Sequence, residues 1–202
     1  MTVATEPADP FAPEVLNAPR EWTLEAANVR AMPVEGAQPV LALDLGTSMG
    51  WALRTAACVS SGTMNWSDTR KGDTRGKRLL RFWRWLIMIQ RGTPLALVCW
   101  EDAAFIGSGQ KRANMNTAAA YAQFEGITQM FAARHAIPVA DVHTSTLKKA
   151  ITGSGKHPKG TSKDALAKAV RARGYRFDTQ DEADALAILE WAINHGHPHG
   201  LR

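Results

Sequence analysis

Val40-Leu41-Ala42-Leu43-Asp44-Leu45-Gly46-Thr47-Ser48-Met49-Gly50-Trp51-Ala52-Leu53 is the stretch on which the rest of the chain turns. Its unbroken apolar run is the pattern of a strand buried on both faces, and the run ends on one carboxylate. Gly46 and Gly50 bracket a tight turn, and Trp51-Ala52-Leu53 opens a second apolar run. A carboxylate after a buried strand is costly to desolvate unless something pairs with it, and a divalent cation is the natural candidate. The alternative is that Asp44 only caps the Gly46-Thr47-Ser48 turn. This stretch leaves both readings open.

Outward from it, the pattern is that of an α/β domain. Strands are predicted at about 39–45, 50–57 and 62–66, too closely spaced for crossover helices, so the three form an antiparallel meander. Lys71–Gln90 follows as a helix with a broad apolar stripe and a basic flank of Arg75, Lys77, Arg78, Arg81 and Arg84. Leu95-Ala96-Leu97-Val98-Cys99-Trp100-Glu101 repeats the opening theme, a buried strand ending in a carboxylate. A helix over Asn116–His135, a short strand over Ile137–Val142, and helices over Thr144–Thr152 and Thr161–Arg173 come next. Thr179-Gln180-Asp181-Glu182 fits the capping-box pattern and opens a last helix through Asn194. These elements make a layered α/β domain with a mixed sheet over residues 39–195.

Both flanks read as appendages. Residues 1–38 are rich in Pro, Ala and acid and read as a flexible arm, with one short helix in Trp22–Arg30. Residues 196–202 read as a tail whose alternating histidines are incidental. The arm carries a net −4 and the rest of the chain +9 of the overall +5, which favours a polyanionic partner. No apolar stretch has the length needed to span a bilayer, and the acidic N-terminus does not resemble a signal or transit peptide. Cys58 and Cys99 lie in apolar surroundings and read as reduced core thiols of a cytoplasmic protein.

Four carboxylates stand out. Asp44 and Glu101 end strands expected to lie adjacent and parallel, so both emerge at one edge of the sheet. Asp181 and Asp184 share a helix face at i, i+3 spacing. Clustered carboxylates raise one another's pKa unless cations neutralise them, and a site of carboxylates without His or Cys suits Mg²⁺ or Mn²⁺ rather than zinc. Asp102 points to the opposite side of its strand by pleat parity and is set aside. From Lys148 to Arg173 the chain carries a net +7. This segment includes Lys149, Lys156 and Lys159, and Gly153, Gly155 and Gly160 let its loop approach phosphates closely. Phe105, in the loop after Glu101, either stacks on unpaired bases or belongs to the core.

Asp44-Leu45-Gly46-Thr47-Ser48-x-Gly50-Trp51-Ala52, Trp100-Glu101, the Ala118–Gly126 helix, Leu147-Lys148-x-x-x-x-Gly153-x-Gly155 with Lys163, and Asp181-Glu182-Ala183-Asp184-Ala185-Leu186-Ala187 together resemble RuvC-type Holliday junction resolvases. The resemblance spans about residues 40–194. It implies an RNase H-like fold with a five-stranded mixed sheet flanked by helices, a homodimer, and a site of Asp44, Glu101, Asp181 and Asp184. The implied chemistry is two-metal phosphodiester hydrolysis of branched DNA, with two Mg²⁺ or Mn²⁺ ions per site and 5′-phosphate and 3′-hydroxyl products. It makes Lys148 and Lys163 the leading phosphate contacts; the sequence does not reveal the dimer surface, for which Phe124 and the helix near it are plausible. The acidic arm and the Leu45-Gly46-Thr47 wording look more like a divergent phage or plasmid branch. Two other outcomes stay open: an inactive branched-DNA scaffold, and a general nuclease acting on flaps or RNA–DNA hybrids.

Overall fold

In the computed structural model, the residues described are 28–31, 37–67, 74–102, 115–158 and 160–195. Six strands form one mixed sheet: β1 (Asn28–Ala31), β2 (Val40–Asp44), β3 (Ser48–Arg54), β4 (Cys58–Asn65), β5 (Leu97–Asp102) and β6 (Val139–His143). Their order is β1-β4-β3-β2-β5-β6. The meander β2-β3-β4 is antiparallel, and β5 and β6 run parallel to β2 and to each other, as the spacing of the predicted strands requires.

Side-chain alternation divides the sheet between two cores. Leu41, Leu43, Met49, Trp51, Leu53, Val98 and Trp100 face α1 (Arg75–Gly92) and α2 (Met115–Arg134). Val40, Ala42, Ala52, Leu97, Cys99, Ala140 and Val142 face α3 (Thr144–Thr152), α4 (Ser162–Ala172) and α5 (Gln180–His195). On the first side, Trp51, Trp66, Phe82, Trp85 and Phe124 form an edge-to-face and stacked cluster with centroids 5.1–6.1 Å apart. Each buried ring contributes about 1.5–3 kcal/mol by transfer from water, which outweighs the basic residues that α1 places at its own positive end. On the other side, small residues of α5 (Ala183, Ala185, Ala187) let it lie directly on β2 and β3.

Three expectations change. Asn28–Ala31 pairs with β4 from Asn28↔Ser61 to Ala31↔Cys58, so a sixth edge strand stands where the sequence suggested an arm and the end of a short helix. Its backbone, not an apolar pattern, makes the contact. Arg78, read as part of the basic flank of this helix, is only 8% exposed, with its guanidinium 5.8 Å from the Phe124 ring. Phe124 itself is fully buried against Phe82, so it cannot face a second copy. The rest of the predicted arm, the loop carrying Phe105, Lys159 and the tail lie outside the described residues. Cys99 is buried in the core, which pushes its thiol far above the usual range.

Candidate active site

The parallel pairing of β2 with β5 sets Leu43 level with Trp100, so Asp44 and Glu101 leave the sheet side by side. Both share the parity of Ala42 and Cys99 and therefore point toward α3, α4 and α5. Asp102, one residue on, points to the α2 side, where its charge helps to raise the carboxyl of Glu125. From α5, Asp184 reaches the same place. Asp44, Glu101 and Asp184 line one cavity of about 230 Å³, together with Thr144, Leu147, Lys148, Ser162, Lys163 and Leu166.

Electrostatics at this cavity are strained by like charges. Burial pushes the Asp44 carboxyl well above the usual carboxylate range; Asp184, Glu101 and Asp181 add to the rise, and Lys163 opposes it. Burial also pushes Asp184 up to about 6, against the hydrogen bond that Gln180 Nε2 donates to its Oδ1 at 2.9 Å. Lys163 Nζ stands 3.9 Å from Asp184 Oδ2 but is 69% exposed, and so offsets little of the repulsion.

Asp181 sits apart from that cavity. Its Oδ2 accepts a hydrogen bond from Ser48 Oγ at the start of β3, one helical turn before Asp184. The α5 terminus is fastened by more than this. Thr179 Oγ1 accepts from the Glu182 backbone N–H at 3.1 Å, the first half of the predicted capping box. The second half is diverted: Glu182 Oε2 accepts from the Asp178 N–H at 3.0 Å, and Oε1 from Ser61 Oγ at 2.7 Å on β4. Glu182 is 1% exposed, so a residue that reads as a helix cap is a buried clamp between α5 and the sheet. Its i−1 partner Asp181 masks it in the sequence; the pairing with Ser61, 121 residues away, leaves no local signal. Gly50 completes the fit, because a Cβ there would lie 1.7 Å from the Asp181 carbonyl oxygen. Only a glycine lets β3 and α5 come this close.

Of the basic residues, Lys148 and Lys163 line the carboxylate cavity, whereas Lys149 and Lys156 are exposed outside it. Gly153 takes a left-handed φ of 81° to end α3 and turn the chain into the basic loop. His143 caps α3, its Nδ1 accepting the Ser145 N–H at 3.3 Å.

The donor set suits a hard divalent cation: oxygens only and several negative charges, with Lys148 and Lys163 against them. Among the described residues, the carboxylates ring the cavity without three of them converging on one coordination point. Their repulsion makes cation binding favourable by the same physics that raises their pKa values.

Residues 102–195 match the family model "Crossover junction endodeoxyribonuclease RuvC". A crossover junction endodeoxyribonuclease RuvC of Cutibacterium acnes (strain DSM 16379 / KPA171202) is 43% identical over 76 residues, 37% of this chain and 38% of that protein. The matched stretch thus spans well under half of that relative's length. The structure of "T. thermophilus RuvC in complex with Holliday junction substrate" superposes with a TM-score of 0.62 at 20% identity, covering 79% of this chain and 96% of that one. "Thermus thermophilus RuvC structure" gives 0.60 at 18% identity, covering 78% and 96%. The fold is therefore the RNase H-like fold of RuvC, and residues 102–195 match the RuvC family in sequence as well.

Proposed function

We propose, from a second half that matches the RuvC family model and a fold shared with RuvC, that this chain is a divalent-metal-dependent endonuclease resolving four-way DNA junctions. The observation that carries the reading is the cavity in which Asp44, Glu101 and Asp184 meet from β2, β5 and α5, with Lys148 and Lys163 at its rim. Asp44, Glu101 and Asp184 would hold Mg²⁺ or Mn²⁺, with Asp181 in support through its place on the same helix. Such ions would supply an activated water and charge neutralisation for phosphodiester hydrolysis, with 5′-phosphate and 3′-hydroxyl ends as the expected products.

The chain's own contributions are positioning and charge. The pairing of β2 with β5 fixes two carboxylates at one height on the sheet, and the Glu182 clamp fixes the third. Lys148 and Lys163 draw a phosphodiester to the carboxylate rim, and Lys149 and Lys156 extend the cationic track along the neighbouring arm of DNA. A homodimer would present two such sites to the two continuous strands of a junction. With Phe124 buried, the exposed side of α2 around Ala122, Gly126 and Met130 is the surface left for it.

The test is nicking of a synthetic four-way junction with Mg²⁺, alongside a flap, an RNA–DNA hybrid and a plain duplex. The expected result is cleavage of the junction alone, abolished in Asp44→Asn while binding persists. Binding without cleavage by the unaltered protein makes it a scaffold, and equal cleavage of all four substrates makes it a general nuclease. Among the described residues no helix is long and apolar enough to cross a membrane.

A further inference from the structure

Three hydroxyls of the antiparallel meander bond to the start of α5. The Ser48 hydroxyl donates to Asp181 Oδ2, Ser61 Oγ donates to Glu182 Oε1 at 2.7 Å, and the Thr63 and Thr179 hydroxyls bond one another. The pairing of β3 with β4 sets Gly50 opposite Thr63 and Ala52 opposite Ser61, and Ala52 packs in the core that α5 covers. By strand parity all three hydroxyls stand on that side. Ser61 and Thr63 fasten the helix to the sheet. Ser48 differs from them, because its partner is one of the four acids singled out by the sequence.

Backbone packing sets the place of Asp181 before its side chain is considered. A Cβ on Gly50 would lie 1.7 Å from the Asp181 carbonyl oxygen, so Asp181 rests directly over Gly50. Gly50 is in turn the ladder partner of Asp44. In the strand order β3-β2-β5, Asp44 thus has Glu101 beside it on β5 and Asp181 over β3 on its other flank. The charges feel one another across that gap, since Asp181 helps to raise the carboxyls of both Asp44 and Asp184. The cavity lined by Asp44, Glu101 and Asp184 extends toward α3 and α4, away from Asp181. A carboxylate therefore stands on each flank of Asp44, and only one flank belongs to the cavity.

An Asp in the first turn of a helix has a ready alternative use. It can fold back onto the free backbone N–H groups there, where the dipole favours negative charge. Ser48 supplies a donor on the sheet instead. A hydroxyl brings no charge, and a single bond leaves most lone pairs of a carboxylate open, so Asp181 keeps its full charge for a cation. Lys163, 3.9 Å from Asp184, offers the contrast, because an ammonium competes with a metal ion for the same oxygen. Carboxylates that ligate metals are themselves commonly hydrogen-bonded, and losing such a partner costs about 10–100-fold in metal affinity or activity. Resting on the metal-dependent nuclease reading, we infer that Ser48 is a positioning residue, whose hydroxyl holds the Asp181 carboxylate beside Asp44, on the β3 flank, for a divalent cation. Ser48 acts through Asp181 and not on the DNA.

The midpoint Mg²⁺ concentration tests this, measured in two ways on the full chain. One is the rise of Tm with Mg²⁺ in the absence of DNA; the other is the single-turnover nicking rate of a four-way junction. Ser48→Ala is expected to raise both midpoints about 10-fold, and Ser48→Thr, which keeps the hydroxyl, to restore them. Thr63→Ala removes a tether of the same helix that touches no carboxylate. It should lower Tm without metal as Ser48→Ala does, yet leave both midpoints where they were. In an Asp181→Ala background, Ser48→Ala should shift neither midpoint further, the mark of a residue that works through one partner. Unchanged midpoints in Ser48→Ala, an equal shift in Thr63→Ala, or a Ser48 effect that persists without Asp181 overturns the positioning role. If the unaltered protein is stabilised by Mg²⁺ but nicks no junction, the nuclease reading falls and the melting midpoints still decide Ser48. If Mg²⁺ does not stabilise it at all, both fall.

Discussion

Gly50→Ala is the sharpest single perturbation that the structure offers. The added Cβ would stand 1.7 Å from the Asp181 carbonyl oxygen, 2.2 Å from its carbon and 2.9 Å from the Glu182 nitrogen. Ordinary van der Waals contact begins near 3.4 Å, so the first turn of α5 must retreat by about 1.7 Å. That turn cannot slide freely. Ser48 holds Asp181, and Ser61 holds the buried Glu182. Overpacking of this kind costs about 1–3 kcal/mol, which in a domain of this size lowers Tm by roughly 2–12 °C. The catalytic effect is larger. Asp184 lies one turn along the displaced helix, and a misplacement of ~1 Å at a reacting centre can cost about 10²-fold. Single-turnover nicking of a four-way junction with enzyme in excess separates this loss from weaker DNA binding. Gly62→Ala is the control: the nearest atoms to its Cβ are those of the Trp51 ring, at 3.1 Å, on the α1–α2 side of the sheet rather than against α5. It should cleave within a few-fold of the unaltered protein. If Gly50→Ala melts and cleaves normally, or if both variants lose activity equally, the close packing of β3 on α5 is not what positions the site.

Ser61→Ala should destabilise the fold by about 1–3 kcal/mol by leaving Glu182 Oε1 buried without its donor, whereas the exposed substitution Gln129→Ala should stay within about 0.5 kcal/mol; denaturant midpoints decide. Asp184 titrates near 6 when folded and near 3.9 when unfolded. The folded state therefore binds more protons between those values, and stability present below about pH 4 is lost as pH rises through about 6. Melts without divalent metal should show that decline, with Mg²⁺ raising Tm more at pH 7.5 than at pH 4.5. Asp184→Asn should flatten the slope, and an unchanged slope in that variant contradicts the assignment. Gly126→Ala, exposed in the middle of α2 with nothing within 4 Å of its Cβ, should stabilise the monomer by about 0.5–1 kcal/mol. A loss of junction cleavage in this variant, with the melt improved, would mark α2 as the surface where a second copy packs.

The order of the elements from β2 to α5 was legible because each run carries its own period, two for strands and 3.6 for helices. The convergence of Asp44 and Glu101 followed from parity alone, since two parallel strands of matched register must present equivalent residues to one side. What stayed hidden depends on contacts across the chain. Asn28–Ala31 has no strand pattern of its own and is held by the open edge of β4. Arg78 looks identical to its exposed neighbours Arg75 and Lys77, and only the packing of α1 on α2 shows that it is enclosed. Glu182 sits between two acids with apparent roles in the site, and its partner Ser61 lies in a strand with nothing to advertise it. Phe124 was legible as an aromatic on a small-residue helix, but which side of that helix met α1 was not.

Because α5 lies across β2 and β3 and supplies the last acid, the carboxylate cavity cannot precede the finished fold. A growing polypeptide displays Asp44 and Glu101 well before Gln180 opens α5. Until then it lacks the third carboxylate, and the apolar faces of Val40, Ala42 and Ala52 stand bare to the solvent. The three-carboxylate cavity is completed by the same step that seals the protein interior.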